Sequence, residues 1–581
     1  MNKLDINGFY TVTSFLKLLD IKRLGCSSKY IHSNCRQFMT YMYNEYGNNE
    51  LYYNLPNAKW IVDNCNADML EDCINKKIKI VEIIFFREFN QSIEPLRHCG
   101  ALQQITFSDY SKFNQSIEPL RYCTNLQHIE LSGLFDQSIE PLAECINLQH
   151  VELSGSFDQS IEPLAECINL QRVEFGWSFN QSIEPLENCT NPRQITFSRD
   201  FNRTIEPLGK CKALQQITFK SDSTFNQSIE ALETCEILQQ ITFGRSFNQS
   251  IEALGNCKTL QQIVFPGGSS FNQSIEPLQH CGTLQQITLY GDFNQSIKSL
   301  GNCKALQHIE FGDDFNQSIE SLGNCTTLRQ IRFGDGFNQS IESLGNCTTL
   351  RQIRFGRSFN QSIESLGNCT TLQQITFAGL FNQSIKPLGR IGTLQQITFA
   401  GHFNRSIEPL KNCRSLQWIT FDGLFNQSIK PLSKCINLRG ITFGYRFNRS
   451  IKPLSKNIKL EKIVFGKAFN RSIEPLSECT NLQYIYFGHD SEFNQSIKPL
   501  SNCKILKQIR FGKYSMFNRS IEPLRHCKTL QAVDLGYYFD KPIAPLADCN
   551  NLRQLYLGPN CNLPLDMLRN VHIRRWGNYN L

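Results

Sequence analysis

The chain repeats itself. A unit of 22 residues, Phe-Asn-x-Ser-Ile-x-Pro-Leu-x-x-Cys-x-x-Leu-x-x-Ile-x-Phe-Gly, returns in twenty-one copies whose first residues run from Phe89 to Phe539. Fifteen intervals between these phenylalanines are 22 residues long and five are 24. A period this short overrides the prior of roughly one globular domain per 150 residues, because each unit must stack on its neighbours to bury its apolar face. The organisation read from the sequence is residues 1–46, a linker and cap with a half-unit strand at 47–88, the array at 89–560, and a C-terminal cap at 561–581. Ile80, Ile83 and Phe85 keep the strand part of a preceding unit, and Cys561-Asn562 stands where another Phe-Asn would stand. Degenerate ends suit a solenoid, whose core would otherwise face water. Residues 47–79, with Tyr52, Tyr53, Trp60 and Ile61, are expected to pack the N-terminal piece onto the first strand.

The apolar spacing predicts the fold of one unit. Ile105 and Phe107 alternate with Gln104 and Thr106, which predicts a short strand with the first pair inward and the second outward. A Gly or small residue follows as the strand exit. Ile117, Leu120 and Cys123 then come at spacings of three with Pro119 ahead of Leu120, which predicts a 3₁₀ or single α turn. The fold class is therefore an α/β solenoid, a leucine-rich-repeat-like right-handed superhelix. A parallel β-sheet forms one face, short 3₁₀/α turns lie opposite, and a small helical region precedes the array. At about 4.8 Å per strand, twenty-one strands would extend roughly 100 Å, enough for a protein partner.

Nineteen of the 24 cysteines occupy one repeat position, from Cys99 to Cys549, and Ile391 and Asn457 occupy it elsewhere. A position that accepts Ile needs no sulfur chemistry, so these are read as small buried residues kept reduced. No Cys-x-x-Cys pair points to a metal. Lys3, Asp5, Lys17, Asp20, Lys22 and Arg23 interrupt any secretory signal, and no apolar run is long enough to span a membrane. The expected location is the cytoplasm. The net charge of +7 is small for 581 residues and does not suggest a nucleic-acid binder.

The Asn after each Phe is expected to bond the backbone of the adjacent turn as a ladder. Asp136, Asp158 and Asp540 replace it, which keeps the acceptor oxygens and assigns them the essential role. The same Asn forms an Asn-x-Ser/Thr pattern in eighteen units; burial of these Asn residues would leave no room for glycans.

The unit resembles the FNIP repeat, a relative of leucine-rich repeats, on Phe89-Asn90-Gln91-Ser92-Ile93-Glu94-Pro95-Leu96 and its copies, over residues 89 to about 560. Ala231, Ala253, Ser299, Ser321, Ser343 and Ser365 depart from the Pro. Such repeats are known from social amoebae and large DNA viruses of amoebae, which would place a viral copy in the host cytoplasm. Many proteins of this kind begin with an F-box. Residues 15–24, with Phe15, Leu16, Leu19 and Leu24, and Ser27-Ser28-Lys29-Tyr30-Ile31-His32 resemble its middle and end. An F-box usually opens with Leu-Pro, where this chain has Leu4-Asp5-Ile6. The resemblance implies a Skp-type adaptor and a cullin as partners; a short helical cap packing its own apolar residues is the alternative.

A uniform outward Gln and Thr face gives little specificity, so candidate partner-binding residues are sought in its departures. One cluster is His128 with Glu130, His150 with Glu152, and Arg172 with Glu174; stacked carboxylates need neutralising by these bases or by a basic partner. Arg332 and Arg354 suit an acidic partner. Trp418, Tyr484 and Tyr486 are aromatics of the kind enriched at interfaces. Drift among duplicated units is the plainer explanation for each. The five lengthened units place their extra residues after the strand, at 108–112, 220–224, 266–270, 488–492 and 512–516, as a binding edge or as tolerated slack. Nine successive glutamates from Glu94 to Glu276 make an acidic stripe on the turn side that Lys298 interrupts.

No Ser–His–Asp grouping or phosphate loop is present, so the expected role is binding without catalysis or cofactor. The resemblance implies a substrate-recognition subunit of an SCF-type ubiquitin ligase. An interaction scaffold without ligase coupling and a secreted adhesin are the competing readings.

Overall fold

The computed structural model describes residues 40–43, 59–75, 77, 79–108, 110–559, 568 and 571–576. Phe15, Leu16, Leu19, Leu24 and the rest of the F-box-like segment lie outside the described residues, as does Cys561-Asn562. The chain divides into two compact units, Met1–Thr283 and Leu284–Leu581.

In the first unit Thr40–Tyr43 pairs in parallel with Lys59–Cys65, which pairs with Ile80–Phe85 across two register irregularities. Helix Ala67–Asn75 lies between the last two strands, its Met69 N–H donating to Asn66 Oδ1 at 2.9 Å as an N-cap. Ile80–Phe85 is the expected half-unit and pairs in register with the first repeat strand, Gln104–Phe107. Eight repeat strands run from there to Gln262–Phe265. The second unit carries thirteen, from Gln286–Leu289 to Gln554–Leu557, and then His572–Arg575. Pairing is parallel within each unit, and equivalent residues are partners, as Ile105, Ile129 and Val151 are.

All twenty-one repeat turns are five-residue 3₁₀ helices, from Glu94–His98 to Ala544–Asp548. The choice over an α turn follows from the apolar spacing. A 3₁₀ helix has three residues per turn, so residues three apart share a face. Ile93, Leu96, Cys99 and Leu102 are so spaced, and successive bonds join them: Leu96 N–H to Ile93 O at 2.9 Å, Cys99 N–H to Leu96 O at 2.8 Å, Leu102 N–H to Cys99 O at 2.9 Å. The recurring Ser starts the turn. Ser92 Oγ accepts the Glu94 N–H at 3.1 Å, and Thr204 serves its own unit in the same way.

The core is a set of columns. Phe113 stacks on Phe135 at 6.0 Å, while strand-end Phe107 stacks on Phe113 at 4.0 Å. These rings are fully buried, as are the Ile and Leu rows beside them. The described cysteines are buried thiols outside any disulfide. Within the array they contribute more than volume: Cys145 Sγ, for example, donates to the Leu120 carbonyl of the preceding repeat at 3.4 Å. Burial pushes this thiol up to about 12. Asn457 keeps the donor, its Nδ2 reaching Leu432 O at 3.1 Å and Cys435 O at 2.8 Å, but its Oδ1 is buried without a partner.

The Asn ladder is present, and it works through the acceptor. Asn90 Oδ1 accepts the Asn114 N–H at 2.9 Å, Asn114 Oδ1 the Asp136 N–H at 3.0 Å, and Asp136 Oδ1 the Asp158 N–H at 3.0 Å. Asp serves as well as Asn because the oxygen only accepts, from the next rung's backbone N–H and, in many rungs, from its Gln Nε2 as well, as Asp136 does from Gln159 at 3.0 Å. The side chains are not buried, however: Asn90 is exposed and Asn114 half-buried. The expectation that burial excludes glycans is thereby corrected, since the ladder runs along the surface.

The lengthened units carry a feature that the sequence reading missed. Each places a fully buried serine two residues before its next Phe: Ser111, Ser223, Ser269, Ser491 and Ser515. Each Oγ accepts that Phe N–H at 3.1–3.2 Å. The extra residues thus form a serine-braced turn rather than slack. Ser223→Ala leaves the buried Phe225 N–H unpaired and is expected to cost about 1–3 kcal/mol. Asn457→Cys removes the buried unpaired oxygen and should stabilise by a similar ~1–3 kcal/mol. Urea unfolding of both variants, followed by circular dichroism, checks the two opposite signs.

Candidate interaction surface

The outward strand positions are those of Gln104 and Thr106, and register turns each departure into a row. His128, His150 and Arg172 are successive partners, and so are Glu130, Glu152 and Glu174. Ser132 Oγ donates to Glu130 at 3.2 Å and Ser154 Oγ to Glu152 at 2.6 Å. Burial disfavours the charge on Glu174, but Lys220 at 2.8 Å and Arg172 at 3.2 Å outweigh it and hold the carboxyl below its usual range. Lys220 comes from beyond the strand two rungs on, which sequence spacing alone did not reveal. The histidines do not neutralise the glutamates. Their rings meet edge to face at 4.1 Å, and burial lowers both pKa values, with Arg172 adding to the effect. His150 falls to about 4, and its Nε2 is buried without a partner. The first cluster is therefore largely self-satisfied.

Arg332 and Arg354 are register partners, and both are exposed. The aromatic cluster is not one cluster. Trp418, Gly440, Lys462 and Tyr484 follow one another in a single row, so two rungs separate Trp418 from Tyr484. Tyr486 is held by its surroundings: Lys462 lies 5.5 Å and Arg510 5.6 Å from its ring centre, and its hydroxyl donates to Gln508 Oε1 at 2.8 Å. Trp418 stays open, 39% exposed. On the turn side, parts of the acidic stripe are paired within their own helices, as Glu94 is with Arg97 at 2.6 Å and Glu118 with Arg121 at 2.6 Å.

The small net charge conceals a division. Residues 1–283 hold 23 Lys and Arg against 32 Asp and Glu, a net of −9, whereas residues 284–581 hold 36 against 20, a net of +16. Basic surface therefore belongs to the second unit, where Arg332, Arg354, Lys462 and Arg510 lie.

Stacked parallel strands alternating with 3₁₀ turns on a 22-residue period make each unit a leucine-rich-repeat-type solenoid. Comparison with solved structures agrees. CroV588, described as a novel circular LRR protein, superposes with a TM-score of 0.60 at 26% identity over 88% of this chain and 81% of its own. Toll from Drosophila, solved with Spatzle, superposes with a TM-score of 0.57 at 11% identity over 93% of this chain and 87% of that one. No protein-family model matches the chain, and no curated protein matches its sequence. Among the described residues no helix is long and apolar enough to cross a membrane.

The histidine pair yields a pH dependence. His150 protonates near 6.5 when unfolded but near 4 when folded. The unfolded chain therefore binds more protons between those values, and stability falls as pH drops through that window. His150→Gln, which installs the residue that Gln104 and Gln194 supply in the same row, should flatten this slope. Urea midpoints measured across the window check it, and an unchanged slope would contradict a neutral buried histidine.

Proposed function

We propose that the chain is a protein-interaction solenoid whose strand face holds a target protein. We propose further that the F-box-like segment couples it to an SCF-type ubiquitin ligase through a Skp-type adaptor and a cullin, in the cytoplasm, or in the host cytoplasm for a viral copy. The binding half rests chiefly on one observation: strict register gathers scattered departures from a uniform Gln and Thr face into local clusters, while the repeated residues are consumed by the core and the ladders. The ligase half rests on the FNIP-like unit together with Phe15, Leu16, Leu19 and Leu24. Leu4-Asp5-Ile6, in place of Leu-Pro, favours the second reading, a scaffold that binds its target without ligase coupling.

Affinity capture of the full chain from its native cell separates the two. The expected result is recovery of a target with adaptor and cullin, and loss of adaptor and cullin alone in the Leu16→Asp, Leu19→Asp variant. A target recovered without ligase subunits supports the scaffold. Recovery of no protein partner overturns the binding reading itself.

A further inference from the structure

In the second unit, arginines without an ion pair gather at two neighbouring strands, Gln330–Arg332 and Gln352–Phe355. Arg332 is set against Arg354, and Arg329 and Arg351 stand one residue ahead of the two strands; all four are exposed. Like charges side by side on neighbouring strands are destabilising. One carboxylate, that of Glu310, stands beside Arg332 and offsets part of this charge, but the four guanidinium groups outnumber it. Glu310, the register partner of Arg332, accepts a hydrogen bond from Tyr290 Oη, and Asp335 pairs with Arg357 at 3.2 Å. Among the described residues, none of the four guanidinium groups forms an ion pair. The fold does not require arginine at these places, because the next rung holds Gln373 and Thr376 there.

A second, independent feature lies three strands further on. A Cβ built on Gly440 would fall 2.0 Å from Trp418 Cε3 and Cζ3, so the indole lies across Gly440 in the space its missing side chain leaves. An aromatic ring laid along the sheet, partly exposed and with no side chain beneath it, is an apolar platform on a polar face. Between the two features stand Gln374, Thr376, Gln396 and Thr398, with Gln373 and Gln395 one residue ahead of their strands.

Three strand steps of about 4.8 Å and a two-residue offset along the strand separate Arg354 from Trp418, roughly 16 Å, which an extended peptide at about 3.3 Å per residue covers in about four to five residues. We infer that this stretch binds an extended segment of a partner protein, with one or two acidic side chains on the four arginines and an apolar or aromatic side chain about four to five residues away on Trp418. Guanidinium groups recognise carboxylates through paired hydrogen bonds, and the uniform amide and hydroxyl row between the anchors suits a peptide backbone. The row argues against a nucleic acid. A polyanion carries a charge at every nucleotide, and the strands Gln374–Phe377, Gln396–Phe399 and Trp418–Phe421 offer it no cation. The inference rests on the strand-face reading of the preceding subsection and adds where the target sits and what it carries.

The test is selection of displayed random peptides on the full chain. Affinities are then measured for the wild type, Trp418→Gln, and the double variant Arg332→Thr, Arg354→Thr. These variants place residues that neighbouring rungs already hold, so the fold is retained, and circular dichroism verifies this. Enriched peptides should pair an acidic residue with Trp, Phe or Leu about four to five positions away, and each variant should weaken them by about tenfold or more. Added salt should weaken binding to the wild type and to Trp418→Gln more steeply than binding to the arginine variant, which keeps only Arg329 and Arg351. Absence of enrichment, peptides without this pairing, equal binding by the variants, or tighter binding of a single-stranded DNA oligonucleotide overturns the inference. Cellular capture keeps the two levels apart. A target retained equally by both variants refutes this site and leaves the interaction reading intact, whereas a wild-type chain that captures no protein refutes that reading.

Discussion

A 22-residue turn of chain cannot bury its own apolar face, and the rest of the structure depends on this deficit. Phe113 finds its cover against Phe89 and Phe107 on one side and Phe135 on the other, so each rung completes the one before it. Burial on this pattern requires identical spacing at every rung, because a shift of one residue would send the Ile and Phe of the strand to the solvent side. The lengthened units keep that spacing. Their two extra residues are taken up in a turn outside the columns, and a buried serine satisfies the one backbone N–H that the detour would orphan.

Polar ladders carry the same logic to the edges of the stack. A side-chain oxygen of one rung receives a backbone N–H of the next, as from Asn90 to Asn114, and a thiol reaches back to a carbonyl, as from Cys145 to Leu120. Each such group has its partner in a different repeat, so the bonds exist only in the assembled stack. The position can change identity as long as its role survives: Asp136 still accepts, and Asn457 still donates. Asn457 shows the limit of that tolerance, since its second polar atom has nowhere to bond.

The same regularity governs the surface. Register copies an outward residue directly beside its counterpart, so a pair of arginines 22 residues apart in the chain become neighbours on the sheet. Some of these rows neutralise themselves, as Glu174 does with Arg172 and Lys220. Others do not, and the row of unpaired arginines with Trp418 beyond it is the place where the second unit offers chemistry that its own fold leaves unused.

Much of this was legible before any coordinates. The period, the inward Ile and Phe, the buried cysteines and the acceptor role of Asn follow from residue spacing and from which substitutes occur, because a repeated chain states each rule twenty-one times. The spacing of three also contained the 3₁₀ turn, although the sequence reading left an α turn open. What only the tertiary structure decided are relations between residues distant in the chain or facing water: that Lys220 answers Glu174, that Tyr486 is enclosed by Lys462 and Arg510 while Trp418 is open, and that the Asn ladder lies at the surface. The physical reason is the same throughout. Core positions are set by local period and hydrophobicity, which one repeat displays, whereas side-chain pairing across rungs depends on rotamers and on the identity of neighbours that no single repeat contains.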